Sequence, residues 1–416
     1  MRILLLTQIL PYPPNAGPRV KTWHVLRYLA HQGHEVTLVT YLRPEEEPYV
    51  DTVRELCTAV HTVPIHRANV KNLFYLLKSN LTGRPFLIER DDLPPMRQLV
   101  RRLLETEPFD IVHADQLTMT QFALDVDRLP EGERPYTIFD AHNATWTITD
   151  RLLESAPRIL KPLLRLETGR VKTYEGMLLT RFDHTMVVIP EDKPALMAGL
   201  PDDADREAIS RRISVIPITI DADKLQPVQR QPDSLNILAL GSMHYPPNVD
   251  GIRWFVRRIF PLIQAEEPGV TLTIVGKSPP ADLAHLAEQQ PDSIEVTGFV
   301  PELQPYMERA ALMVVPVRAG SGMRVRLLEA FARAMPTVTT TIGMEGIEAE
   351  NGRHLLLADD PVTFAQETVR LLGDPALQQM LAENGRQLAV EKYDWRSALQ
   401  QMDAVYNLAQ ERVNVS

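Results

Sequence analysis

A single cysteine, Cys57, stands in a chain of 416 residues. It excludes an internal disulfide and fits a reducing compartment. Long apolar runs are missing too. The apolar start, Ile3 to Leu6, is too short for a signal-peptide core and has no small-residue cleavage site after it. No run approaches the roughly 20 apolar residues of a membrane span. Positive charge is in deficit: the net charge of −10 argues against broad nucleic-acid binding, which needs a basic face. Leu4–Gly17 lacks Gly-x-Gly-x-x-Gly after the first apolar run, which disfavours a dinucleotide oxidoreductase. Short-period repeats and low-complexity tracts are absent as well.

What remains is an ordinary globular composition, 44% hydrophobic and 24% charged. The length exceeds what one core organises, so two domains of about 200 residues are expected. Strand-like runs alternate with helical patterns throughout, the signature of parallel α/β layers. In the first half the strands read as Arg2–Leu6, Glu35–Thr40, Asp110–His113, Tyr136–Asp140 and His184–Ile189. Helices fall between them, including Val20–Gln32, capped by Gly33, and Pro95–Glu105. A second series reads Asn236–Leu240, Thr271–Val275, Ile294–Thr297, Leu312–Val317, Thr337–Thr341 and Leu355–Leu357. This gives an N-terminal domain over 1–217, a proline-bearing linker over 218–234 and a C-terminal domain over 235–393. A last helix, 394–416, would cross back to the first domain. Two such doubly wound Rossmann-like units would put the carboxyl ends of their sheets on a shared cleft.

The densest chemistry lies in Pro316–Ala330, PVRAGSGMRVRLLEA, where a strand breaks into glycines and becomes a helix. Gly320 and Gly322 let the backbone approach a ligand closely. The helix start offers free N–H groups and a positive dipole end, suited to phosphate. Arg324 and Arg326 add charge, and Glu329 supplies an acceptor pair one turn on. Cations for a pyrophosphate and a carboxylate for ribose hydroxyls suggest a nucleotide-linked substrate. Residues two apart on a helix point roughly opposite ways, so Arg326, three before Glu329, is the better placed of the two arginines. That preference lapses if the helix begins after Met323.

The second half resembles glycosyltransferase family 4, the large retaining group with the GT-B fold. The resemblance rests on GSMHYPPNVDGIRWF at Gly241–Phe255, TGFVPEL at Thr297–Leu303, GSGMRVRLLEAFARAMPTV at Gly320–Val338 and IGMEGIEAENGRHLLLADDP at Ile342–Pro361. The first half adds PYPPNAGPRV at Pro11–Val20, DAHN at Asp140–Asn143 and VIPITID at Val215–Asp221. The chain is closest to the branch whose donor motif reads Gly-Ser-Gly.

The resemblance implies transfer of a sugar from a UDP- or GDP-sugar to a saccharide or lipid-linked acceptor, with no cofactor and no metal. Arg324, Arg326 and His142 would stabilise the departing diphosphate or meet the donor sugar, and Glu329 would bind the ribose. Gly17, with Arg19 and Lys21 after it, would meet the phosphates from the first domain. Gly298, Phe299 and Val300 would read the base by their backbone, and Gly320 and Gly322 would cradle phosphate. Gly241 and Ser242 stand where the family has an arginine and lysine loop, which this chain lacks. Ser321 stands where most members carry a glutamate. These two departures keep a degenerate, non-catalytic scaffold open as an alternative, beside a nucleotide-sugar epimerase of the same fold.

The acidic pairs Asp91-Asp92 and Asp359-Asp360 are assigned no metal site. Finally, Arg151–Arg181 holds seven basic and three acidic residues, with leucines at near-helical spacing. Such a stretch suits an anionic membrane surface, as the run Leu73–Leu81 does more weakly. A cytoplasmic protein, peripheral at the inner face of the plasma membrane, is the expectation.

Overall fold

The computed structural model describes residues 1–67, 69–320 and 322–415, the side chains of 69–71, 154, 155 and 413–415 excepted. It divides into two compact units, one of Met1–Ile218 with Ala398–Ser416 and one of Thr219–Ser397. Each is a parallel sheet covered by helices on both faces, which is why its strands read as unbroken apolar runs rather than alternating ones.

The first unit has seven strands: β1 (Arg2–Thr7), β2 (Glu35–Leu42), β3 (Ala59–Pro64), β4 (Ile111–Asp115), β5 (Tyr136–Ala141), β6 (His184–Val187) and β7 (Ile213–Val215). Their order is β3-β2-β1-β4-β5-β6-β7. The chain winds outward from β1 to β3, then restarts at β4 on the other side. That makes the β1/β4 crevice the topological switch point, where ligands bind in this kind of sheet. Ile3, Leu4, Leu5 and Leu6 of β1 are fully buried. The helix Gly17–His31 follows β1 and ends at Gly33, whose φ of 75° supplies the left-handed turn expected there. β3 and β7 lie beyond the strands read from the sequence: both are at sheet edges, half-buried or short, and so carry little apolar signal.

The second unit has six strands: β8 (Asn236–Leu240), β9 (Thr271–Val275), β10 (Ile294–Gly298), β11 (Ala310–Val315), β12 (Thr337–Thr339) and β13 (Leu356–Leu357). Their order, β10-β9-β8-β11-β12-β13, puts the switch point between β8 and β11. All six residues of β11 are buried.

The segment 218–234, expected as a linker, is fastened to the second unit from Thr219 onward. Ile220 bridges to Asp394, the Val228 amide donates to the Arg333 carbonyl at 3.0 Å, and Arg230 donates to Ala311 O at 2.7 Å and Gln378 Oε1 at 2.6 Å. Its prolines bend a strap across the domain surface. Among the described residues no helix is long and apolar enough to cross a membrane.

Candidate functional site

In the first unit the polar chemistry gathers at the carboxyl ends of β4 and β5. Asp115 and Asp140 are register partners on these adjacent strands, so two buried carboxylates lie side by side. Such a pair must be compensated. The helix after β1 does this across the switch point. Lys21 forms a buried ion pair with Asp140, and Thr22 Oγ1 lies 3.1 and 3.0 Å from the two oxygens of Asp115. From the other side His142 Nε2 meets Asp115 Oδ1 at 2.8 Å. His113 Nε2 stands 3.5 Å from Asp140 Oδ2, while its Nδ1 meets Tyr406 Oη at 2.7 Å.

Burial by itself would raise the Asp140 carboxyl. The Lys21 ammonium, the His113 hydrogen bond and His142 outweigh it and hold the group below the usual carboxylate range. Burial, followed by the charge of Asp140, pushes the Tyr406 phenol well up.

A carboxylate accepts but does not donate, so Asp115 selects the tautomer of His142 with the proton on Nε2 and leaves Nδ1 to face another group. The loop carrying His142 is itself pinned. The amides of Thr145 and Trp146 donate to Glu175 Oε1 and Oε2 at 2.7 and 3.1 Å, and the Ala144 amide to Asp192 Oδ1 at 2.9 Å. These carboxylates cap the helix Thr145–Ser155 that begins directly after DAHN. Burial raises Glu175 to about 7, against the lowering pull of the two amides.

Lys21 and Arg19 were expected to meet an anionic ligand. The structure corrects this: Lys21 is buried on Asp140, and Arg19 pairs with Glu46, itself 2% exposed. Nearer carboxylates hold both cations. Gly17 is the first residue of its helix rather than part of a free loop, with Ala16 extended before it. Among the described residues Asp115, Asp140 and His142 also form a group whose ligand atoms lie within 4.8 Å of one another. A metal there would have to displace Lys21. Asp91 is buried among Gln8, Arg67 and Arg90, and Asp360 caps the helix Pro361–Leu372.

In the second unit the glycine motif follows β11. Gly320 and Gly322 adopt φ of 109° and 83°, which other residues rarely do. Ser321, between them, lies outside the described residues. Arg324 is extended, with φ −88° and ψ 95°, and the helix runs from Val325 to Ala332. The opposition expected of two helical arginines therefore does not arise. The Arg324 guanidinium folds back: a Cβ on Gly320 would lie 2.9 Å from Arg324 Nη2 and 3.0 Å from Tyr245 Oη. Gly320 is thus straddled by a guanidinium and a phenol, at the open start of a helix. Arg326 shares a face with Glu329 as read, and Nη1 pairs with Glu329 Oε2 at 2.6 Å.

The loop after β8 closes the neighbouring side. Ser242 O accepts the Tyr245 amide at 3.2 Å and Asn248 Nδ2 at 3.0 Å, and the Gly241 amide donates to Val275 O at 3.1 Å. A Cβ on Gly276 would lie 1.8 Å from Gly241 O, so only glycine fits there. At the end of β10, Gly298 has φ of 74° and its carbonyl accepts the Gly276 amide at 3.0 Å. Phe299 is largely exposed and Val300 half-buried. Gly241–Tyr245, Gly276, Gly298–Val300, Gly320 and Gly322–Arg324 thus line the contiguous edge β10-β9-β8-β11. Asp115 and Tyr245 are among the residues of this geometry that escaped the sequence reading. The signal for Asp115 was there: IVHAD and TIFDA are two apolar strands each ending in an aspartate.

Residues 16–192 match the glycosyl transferase 4-like domain, and residues 234–374 match the glycosyl transferases group 1. The chain belongs to the family 4-like glycosyltransferases. Over 412 residues this glycosyltransferase is 22% identical to an "uncharacterized 44.6 kDa protein in cps region" of Klebsiella pneumoniae, covering 94% of this chain and 96% of that one. Its fold is similar to that of sucrose-phosphate synthase from Thermosynechococcus elongatus, with a TM-score of 0.72 at 17% identity over 99% of each chain. It is also similar to Anabaena HepE in complex with UDP, with a TM-score of 0.65 at 13% identity over 98% of this chain and 100% of that one. The two-unit architecture is the GT-B fold that the resemblance implied.

Proposed function

We propose that this glycosyltransferase moves a sugar from a UDP- or GDP-sugar to a saccharide or lipid-linked acceptor of the envelope or exopolysaccharide type. The anomeric configuration is retained, and the reaction takes place at the cytoplasmic side. The observation that carries this reading is the Gly320 cradle, with Arg324 and Tyr245 on either side of a glycine at an open helix start. A departing nucleoside diphosphate gains charge as the glycosidic bond breaks, and fixed cations and N–H groups stabilise that charge most. Arg324 and the backbone around Gly322 take the diphosphate. Glu329, held by Arg326, accepts from the ribose hydroxyls. Gly298, Phe299 and Val300 edge the base. His142, its tautomer set by Asp115, presents Nδ1 as an acceptor to a hydroxyl of the donor sugar.

The binding of UDP by HepE supports the uridine donor, and the cps-region relative supports a polysaccharide acceptor. The chemistry needs no cofactor or metal, since Arg324 and the N–H groups of the helix start supply the fixed positive charge. The test is release of free nucleoside diphosphate by purified protein given a donor and an acceptor extract, with and without chelator. Arg324→Ala and Glu329→Ala should each remove most of the signal. A protein that binds UDP or GDP yet never turns over any donor would be the scaffold, and donor isomerised without acceptor would be the epimerase. Either result overturns the transferase reading of this site.

A further inference from the structure

An ordinary surface helix packs its apolar side inward and turns its polar side to water. The helix Asn69–Thr82 instead turns a run of apolar side chains to water. Leu73, Phe74, Leu77 and Leu81 form a single stripe at i, i+1, i+4 and i+8, and all four are exposed, Leu81 to 89%. Its inner side mixes the half-buried Tyr75 and Leu76 with polar fastenings. Ser79 is buried and donates to Arg84 O at 2.6 Å, and Lys78 Nζ pairs at 2.6 Å with the buried Glu89, which also accepts from Thr82 at 2.9 Å.

The neighbouring helix Lys161–Arg181 continues the pattern. Arg170 donates to Ser79 Oγ at 3.3 Å and Asn80 Oδ1 at 3.0 Å, and the Phe86 amide donates to Glu167 Oε1 at 2.6 Å, so the two helices lie against one another. On this helix and the turn before it Ile159, Leu160, Leu163 and Leu166 are exposed, Ile159 to 87%. Arg158 and Arg165 stand exposed among them. Among the described residues, half of the exposed large apolar side chains are thus concentrated on these helices and on Leu152 just before them.

We propose that this face of the first unit docks on an anionic lipid bilayer, the leucines entering the headgroup boundary and the arginines meeting lipid phosphates. Charge complementarity selects the partner: a locally basic, leucine-rich surface on a chain of net charge −10 suits an anionic membrane. The core of a protein interface is enriched in tyrosine and tryptophan, whereas Phe74 is the one aromatic residue of the stripe. The inference rests on the transferase reading only for its purpose, which is to bring the enzyme to acceptors anchored in a membrane.

The test uses the full chain with no donor or acceptor: co-sedimentation with vesicles of phosphatidylcholine alone, or of phosphatidylcholine mixed with phosphatidylglycerol. Binding should require phosphatidylglycerol and weaken with salt. Arg158→Ala with Arg165→Ala should weaken it roughly tenfold to thirtyfold. Leu73→Ser with Leu77→Ser and Leu81→Ser should weaken it about a hundredfold, with circular dichroism unchanged because the residues are exposed. No pelleting, equal pelleting with neutral vesicles, or a leucine variant that binds as well as the parent would overturn the proposal. So would a dimer in solution that the leucine variant abolishes. Because nothing turns over in the assay, its failure leaves sugar transfer standing, and loss of turnover leaves the surface standing.

Discussion

Replacing Lys21 with methionine tests whether the carboxyl edge of the first sheet is held by charge balance. The side chains of Lys21 and Asp140 are 1% and 0% exposed, so the substitution keeps the volume and strands a buried carboxylate. Breaking a buried pair from one side costs about 3–5 kcal/mol. In a domain of this size that lowers the midpoint of unfolding by about 6–20 °C. The cost depends on pH. In the parent, Asp140 sits below the usual carboxylate range, so it contributes stability above its unfolded pKa that is lost only as pH falls through its folded one. In the variant the ammonium is gone and burial dominates. The folded pKa then rises above the unfolded value, and stability is lost as pH rises through it. The deficit of Lys21→Met should therefore be largest near neutrality and shrink towards about pH 5. Adding Asp140→Asn should recover part of it. Calorimetry of the parent, both single variants and the double variant at several pH values reads all of this. A deficit below about 1 kcal/mol, or one that is flat with pH, would refute the reasoning.

Glu175→Gln should flatten the stability–pH profile. The parent carboxyl, raised to about 7, costs roughly 3 kcal/mol as pH climbs from its unfolded value through 7; urea titrations at pH 5 and pH 8 compare the two slopes, and parallel slopes would count against it. Gly276→Ala must push the Gly241 carbonyl away, so it should destabilise the second unit by about 1–3 kcal/mol and weaken the thermal shift given by UDP or GDP; a variant with both properties intact contradicts the contact. Asp115→Asn lets His142 take either tautomer, and should lower turnover at least about tenfold and move the pH–rate profile, with substrate affinity little changed.

The strands buried on both faces were legible because burial writes an unbroken apolar run into the chain. β3 and β7, at the sheet edges, were not. At the site, Gly320, Gly322 and Arg324 could be read because a strand, a positive-φ turn and a helix start leave local marks. The helix onset at Val325 could not, and it decides that Arg324 turns back onto Gly320 while Arg326 pairs with Glu329. Lys21 defeated the reading for a different reason: its partner is 119 residues away, and nothing nearby distinguishes a buried lysine from a solvated one. The helix Asn69–Thr82 shows the same limit, since its apolar stripe is visible in the sequence but the exposure of that stripe is not.

The first unit is completed by a helix that follows the whole of the second unit in sequence. Tyr406, from the helix Gln401–Val415, meets His113, which in turn stands beside Asp140. During synthesis the first sheet must therefore wait, with that position of its core unfilled, while the whole of Thr219–Ser397 is made and folds. A chain cut before Gln401 would thus strip this position from the first unit and spare the second. The product would be a polypeptide whose second unit melts normally while the sheet bearing His142 never sets.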